Sequence, residues 1–174
     1  YFGFPAFRAG QQTLIDAVLS GRDALGVMPT GGGKSLCYEL PALLLPGMTL
    51  VVSPLISLMK DQVMALRNAG IPAGCINSSM SLDELRETYR DAELEIPLVA
   101  VDEAHCMSQW GQDFRPSYLK IVEFLQRLPR RPAVAAFTAT ATAQVRADII
   151  RILQLHEPET VVTGFDRPNL RFEV

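Results

Sequence analysis

The run Val27-Met28-Pro29-Thr30-Gly31-Gly32-Gly33-Lys34-Ser35 limits what this chain can become more than any other stretch. It follows the short apolar run Ala24–Val27 and precedes a segment with helical character, so it reads as a strand, a glycine-rich turn and a helix start. Consecutive glycines admit left-handed backbone and let N–H groups approach a ligand closely. The helix N-terminus behind the turn adds partial positive charge. Together these features suit a polyphosphate. Thr30, Gly31, Gly32 and Gly33 would form the cradle, Lys34 would reach the β- and γ-phosphates, and the Ser35 hydroxyl would hold Mg²⁺. The general pattern has Gly where Met28 stands, which is one departure. The plain alternative is a glycine-rich turn followed by a chance Lys-Ser.

A second apolar run, Leu98–Val101, delivers Asp102-Glu103-Ala104-His105 at its C-terminal end. Adjacent carboxylates placed there complete a nucleotide-hydrolysing site. Asp102 would bind Mg²⁺, directly or through water, and Glu103 would orient and deprotonate the attacking water. A polar loop after a strand is the bland reading. It loses ground because strand C-termini in an open α/β sheet share one crevice. His105 could link that crevice to a neighbouring loop, although a lone surface histidine needs no such role.

Three further stretches carry chemistry. Residues 1–11 crowd three Phe, a Tyr, Arg8 and Gln11 before a helix, a set that could hold a purine or simply staple the helix start. The junction from Ser53 to Gln62, with hydroxyls and Lys60, suits a sugar-phosphate backbone, although a solvated lysine is the commoner outcome. The loop Ser108–Pro116 holds the only Trp, Trp110, together with Phe114 and Arg115. Aromatics there could stack on bases while Arg115 pairs a phosphate, or they could pin the loop. Thr138 and Thr140, at the end of another apolar strand, could exchange hydrogen-bond partners between states.

The remaining elements follow from periodicity. Helices are expected over about 9–20, 34–45, 53–69, 81–92, 117–128 and 142–153. Leu14, Ile15, Val18 and Leu19 should face inward on the first, and Leu119, Val122 and Leu125 on the fifth. Ser81 and Glu84 form a capping box. Buried strands are expected at Ala24–Val27, Thr49–Ser53, Leu98–Val101 and Pro132–Phe137, a short one at Val161–Thr163 and a weak one at Gly74–Asn77.

The 174 residues, 48% hydrophobic and 20% charged, support one globular domain. No apolar run is long enough for a membrane span, and no secretory leader is expected. Cys37, Cys75 and Cys106 are odd in number and form no Cys-x-x-Cys pair, which argues against a disulfide framework or a zinc site here. A formal net charge of −3 excludes a broad basic face, so any nucleic-acid contact should be local.

Taken in order, these motifs resemble the first RecA-like motor domain of RecQ-family DNA helicases. The start Phe-Gly-Phe…Phe-Arg…Gln is similar to that family's adenine motif. Met-Pro-Thr-Gly-Gly-Gly-Lys-Ser, Ser-Pro-Leu-Ile-Ser-Leu-Met-Lys-Asp-Gln, Asp-Glu-Ala-His-Cys, Ser-Gln-Trp-Gly-Gln-Asp-Phe-Arg-Pro and Phe-Thr-Ala-Thr-Ala resemble its motifs I, Ia and II, its aromatic-rich loop and its motif III. The resemblance implies an α/β P-loop NTPase fold with a mostly parallel sheet and helices on both faces. It implies a domain over residues 1–163 and a linker, 164–174, toward a second RecA-like domain of the same polypeptide. It further implies ATP and Mg²⁺ as cofactors, Phe4 stacking on adenine with Arg8 and Gln11 touching the nucleotide, and single-stranded or forked DNA as partner, translocated 3′→5′. The family's zinc site would lie outside this chain. The setting would be a bacterial cytoplasm with its nucleoid, or a nucleus.

Two departures stand out. Gln112 replaces the family's usual His. The stretch 92–97 is also too short for the family's further strand and DNA-touching turn. A parallel sheet cannot lose a strand that lies between two others, so the reading favours a missing or disordered segment. Two other functions remain open on the residues: an RNA helicase of the Asp-Glu-Ala-His type, and a nucleotide-dependent binding module without turnover.

Overall fold

The computed structural model describes residues 3, 5–75, 95–110 and 114–164. Five strands form one parallel sheet in the order β2-β3-β4-β1-β5. They are β1 (Ala24–Val27), β2 (Thr49–Val52), β3 (Leu98–Val101), β4 (Ala133–Thr138) and β5 (Glu159–Val162). The described helices are α1 (Gln11–Leu19), α2 (Leu36–Leu44), α3 (Ile56–Asn68), α4 (Lys120–Arg127) and α5 (Ala143–Leu153). Single 3₁₀ turns occupy Ala104–Met107 and Pro116–Leu119.

The sheet order explains why helices cover both faces. From β1 the chain travels to β2 in one direction, and from β3 through β4 to β5 in the other. Parallel crossovers keep one hand, so opposite directions of travel put their helices on opposite faces. Strand residues alternate between the faces accordingly. Leu25, Val99, Val101, Val134 and Ala136 pack with Ile121 and Leu125 of α4 and Val145, Ile149 and Leu153 of α5. Ala24, Leu98, Ala100, Ala135 and Phe137 pack with Leu14, Ile15 and Val18 of α1 and with Cys37 and Tyr38 of α2.

Several sequence expectations change. Thr49–Val52 was expected to be buried, but it is half-buried along its whole length, because β2 is the edge of the described sheet. It also pairs directly with β3. β2 and β3 follow one another among the described strands and lie side by side in the sheet, so the expectation that a strand between them in sequence also lies between them in the sheet does not hold. The helix expected over 117–128 begins as a 3₁₀ turn after Pro116 and becomes α-helical only at Lys120. Three residues per turn change the phase. Tyr118 therefore points inward, and Leu119, expected inside, is exposed. The helix expected from Lys34 starts at Leu36, which leaves Lys34 and Ser35 in the turn. Gly74 and Cys75 form no strand, and the rest of that stretch lies outside the described residues, as do the capping box, the 81–92 helix and the linker after Gly164. No described helix is long and apolar enough to cross a membrane.

Candidate nucleotide and nucleic-acid site

All five strands run the same way, so their C-terminal ends form one crest. The Gly-rich turn leaves β1, which β4 and β5 flank on either side, where the chain's direction of travel diverges, the usual ligand position in open α/β sheets. Gly31 and Gly33 have φ of 79° and 82°, the left-handed region. Gly33 needs glycine for its backbone angle, and a Cβ there would sit 2.3 Å from Gln11 Nε2 and displace that amide. Met28, where the general pattern has glycine, is a core residue, and its carbonyl accepts from Lys34 Nζ at 3.3 Å. The side chain points into the core, so the departure leaves the cradle open. Thr30 is exposed at the turn.

Arg8 and Gln11 do meet this turn. The Arg8 guanidinium donates to the Gly31 carbonyl. Gln11 is buried, its Nε2 donates to the Gly33 carbonyl at 3.0 Å, and its Oε1 accepts from Arg8 N at 2.7 Å. The amide expected to read a purine thus also braces the cradle, with one N–H and one lone pair committed to it. Phe4 lies outside the described residues.

The carboxylates arrive from β3. Asp102 is 4% exposed, and its Oδ1 accepts from Glu103 N at 3.0 Å. Burial, then the neighbouring Glu103 charge, raise the Asp102 pKa above the ordinary value. Glu103 is held below its ordinary value, first by the hydrogen bond from His105. Lys34 is among the charges that favour the ionised form of both groups, so its ammonium lies within electrostatic reach of the pair. Glu103 adopts φ 48°, an unusual angle for a residue with a side chain.

His105 Nδ1 lies 2.9 Å from Thr138 Oγ1 and 3.3 Å from Glu103 Oε2. Thr138 donates its single hydroxyl proton to the Thr140 carbonyl at 3.2 Å. Its oxygen must therefore accept from His105, which assigns the proton to Nδ1 and lets the same N–H face Glu103. His105 thus links the carboxylate pair to the end of β4, as the sequence suggested, while Thr140 takes part through its backbone.

Mg²⁺ fits the donors present. A buried carboxylate at Asp102 and a hydroxyl at Ser35 are hard oxygen ligands beside a cradle open to phosphate oxygens. Among the described residues no group of three or more His, Cys, Asp or Glu could hold a metal, so an all-protein cage is not the arrangement on offer. Sequence reasoning missed two supports. Gln62 Nε2 on α3 donates to Tyr38 Oη at 3.0 Å and reaches Ser35 Oγ at 3.4 Å, and buried Tyr118 donates to the Asp102 carbonyl at 3.3 Å. An amide on a helix after a strand gives no sequence signal of its target, and the 3₁₀ phase hid Tyr118.

The remaining candidates gather at the β2 and β3 ends. Ser53 Oγ is buried without a hydrogen-bond partner among the described residues, and Lys60 is exposed on α3, a helix with no buried residue. Arg115 donates to the Pro54 carbonyl at 3.2 Å, tying the aromatic loop to the β2–α3 junction. Phe114 is half-buried and Trp110 stands out in solvent, while Gln112 lies outside the described residues.

Comparison with known proteins adds a family. The family model "DEAD/DEAH box helicase" matches residues 8–96 and 80–149. The chain is 46% identical to the ATP-dependent DNA helicase RecQ of Bacillus subtilis, with 100% of this chain and 34% of that protein covered. It is 43% identical to RecQ of Pasteurella multocida over 98% of this chain and 31% of that protein. It is 40% identical to the ATP-dependent helicase SGS1 of Saccharomyces cerevisiae over 99% of this chain and 14% of that protein. The chain thus spans 34% or less of the length of these relatives. The Bacillus alignment runs over 200 positions against 174 residues here, so 26 positions of the relative have no counterpart. Among solved structures, the Pyrococcus furiosus Hef helicase domain matches with TM-score 0.67 at 19% identity, covering 89% of this chain and 38% of that one. A hypothetical ATP-dependent RNA helicase from Sulfolobus tokodaii matches with TM-score 0.68 at 21% identity, covering 91% and 54%. At those identities the solved structures support the RecA-like helicase fold alone. On the family match and the identity across its length, the chain belongs to the DEAD/DEAH box helicases, in the RecQ branch.

Proposed function

We propose that this chain is the ATP-binding half of a two-domain, 3′→5′ DNA-translocating motor. The observation that carries the reading is the convergence of Lys34, Asp102, Glu103 and His105 beside one glycine cradle at one end of the sheet. Lys34 would leave the Met28 carbonyl for the β- and γ-phosphates. Ser35 and Asp102 would hold Mg²⁺, which would offset the negative charge of the phosphates. Glu103, kept ionised by His105, would orient the attacking water and take its proton. A carboxylate with a lowered pKa is a weak base, which suffices because phosphoryl transfer asks mainly for positioning and charge stabilisation. Phe4, Arg8 and the Gln11-braced turn would face the base. Ser53, Lys60, Trp110, Phe114 and Arg115 would meet a single strand.

The relatives' greater length supports a second RecA-like domain facing this crest. Such a domain would supply the transition-state arginine, an effect of roughly 10³–10⁵-fold in related enzymes. The chain alone should therefore bind nucleotide, hydrolyse it poorly and not unwind DNA. In the longer protein, Lys34→Ala should abolish turnover, and Glu103→Gln should keep ATP binding while lowering turnover by about 10²–10⁴-fold. Hydrolysis should rise with single-stranded DNA more than with RNA. Normal turnover in Glu103→Gln would remove the base assignment. Equal stimulation by RNA would move the protein to the RNA-acting reading, and binding without any phosphate release would make it a switch.

A further inference from the structure

The turn Ala104–Met107 leads from the carboxylate pair into the aromatic loop, and it is clasped twice by the β4–α5 unit. At its start His105 meets Thr138, the last residue of β4. At its end buried Ser108 donates its Oγ proton to Asp148 Oδ2, on α5, at 2.8 Å. With that proton committed, Ser108 Oγ accepts from Trp110 N at 3.2 Å. Asp148 is itself held, because Arg151 donates to its other oxygen at 3.0 Å and its side chain is 15% exposed. The far end of this chain of bonds is Trp110, 72% exposed. An exposed indole gains no fixed direction from packing. What fixes its backbone is Ser108, and what fixes the direction of the Ser108 hydroxyl is Asp148.

We propose that Asp148 is a positioning residue for the aromatic loop: through Ser108 it sets how Trp110 is presented, and it ties that presentation to the same β4–α5 unit that contacts His105. The proposal rests on reading the loop as a single-strand contact. Residues 139–142 join Thr138 to α5, whose first turn is capped by Thr142, whose Oγ1 accepts from Val145 N at 3.3 Å. A shift at the nucleotide end of β4 therefore has two routes into the turn, one at each of its ends. A surface aspartate with no such role would hold only its helical neighbour Arg151.

The test uses a built-in probe, since Trp110 is the single tryptophan of the chain. Asp148→Ala, Ser108→Ala and Asp148→Asn would be compared with the parent by Trp emission anisotropy, by acrylamide quenching, and by binding of a fluorescein-labelled oligothymidylate. Asp148→Ala and Ser108→Ala should each lower the anisotropy, raise quenching and weaken oligothymidylate binding about tenfold, the order of one hydrogen bond to a charged partner. Asp148→Asn, which keeps an acceptor at the same place, should recover most of both. Far-UV circular dichroism identifies any variant that fails to fold, and the Asn variant then carries the comparison. Unchanged Trp emission in folded Asp148→Ala would overturn the role assigned to Asp148. Altered emission with no oligothymidylate binding by the parent would instead remove the DNA reading of the loop and leave the positioning intact.

Discussion

Two aspartates are buried at opposite ends of the same sheet, and they are used in opposite ways. Asp23, just before β1, is 2% exposed and Asp102, just after β3, is 4% exposed. Asp23 is saturated: Arg131 grips both its oxygens at 3.0 and 2.6 Å, Val134 N donates at 2.9 Å and His156 N at 2.6 Å. It stitches the start of β1 to the start of β4 and to the α5–β5 connection. Asp102 has the adjacent Glu103 N–H and, beside it, another carboxylate. A buried charge surrounded by donors holds a fold together. One left short of donors and pressed against a like charge is kept for something that arrives later.

The same substitution at both positions gives the largest contrast. Asp23→Asn brings an NH₂ group against the N–H donors of Arg131, Val134 and His156, and the charge of Arg131 loses its partner. A loss of about 3–5 kcal/mol is expected, read as a fall in melting temperature of roughly 10 °C. Asp102→Asn keeps an acceptor for Glu103 N and removes a charge that burial and Glu103 disfavour, so stability should stay within about 1 kcal/mol of the parent or rise. Nucleotide binding with Mg²⁺ should respond in the reverse sense, surviving at 23 and failing at 102. Equal destabilisation at the two sites in thermal melts would break the comparison.

The second effect is smaller and depends on pH. The folded Asp102 pKa is raised, so its contribution to stability is fully present below its unfolded value and is lost as pH rises through the folded one. At neutral pH the parent carries that loss and Asp102→Asn does not. Any advantage of the variant should therefore shrink as the solution is acidified and the parent takes up its proton. Glu103 runs the other way: its lowered pKa contributes stability above the ordinary value that disappears as pH falls through the folded one. Melting curves of parent and variant across the acid range check the sign. An advantage that grows with acid would refute the assigned cause.

The two ends also differed in how legible they were. The crest with the candidate site was readable because its motifs are local in sequence: Gly31-Gly32-Gly33-Lys34-Ser35 and Asp102-Glu103-Ala104-His105 each announce themselves within a few residues. Strand and helix order followed from apolar periodicity. Nothing near Asp23 marks it, because its donors lie 108, 111 and 133 positions away along the chain. The Gln62 contact to Tyr38 and the Ser108 contact to Asp148 were hidden for the same reason. Leu119 was misplaced because a 3₁₀ turn and an α-helix share a sequence pattern and differ in phase. The bracing role of Gln11 was hidden as well, because it depends on where Gly33 turns back.

Backbone strain offers the smallest test of the same contrast. Glu103 and Gln154 both hold positive φ, 48° and 53°. Gln154 sits at the C-cap of α5, where a left-handed residue is the ordinary way to end a helix, and its carbonyl accepts from Arg131. Replacing it with glycine removes only the Cβ conflict, so Gln154→Gly should raise stability by about 0.5–1 kcal/mol. At Glu103 the same relief is available, but the carboxylate also pairs with His105 Nδ1 at 3.3 Å. Losing that contact costs about 1 kcal/mol, so Glu103→Gly should gain nothing or lose stability, and it should lose turnover besides. If denaturant midpoints instead rose equally for both, the Glu103 side chain would be contributing nothing to the folded state. Its left-handed angle would then be strain held solely for the site, and the division between a saturated end and an expectant one would be sharper than the hydrogen bonds alone imply.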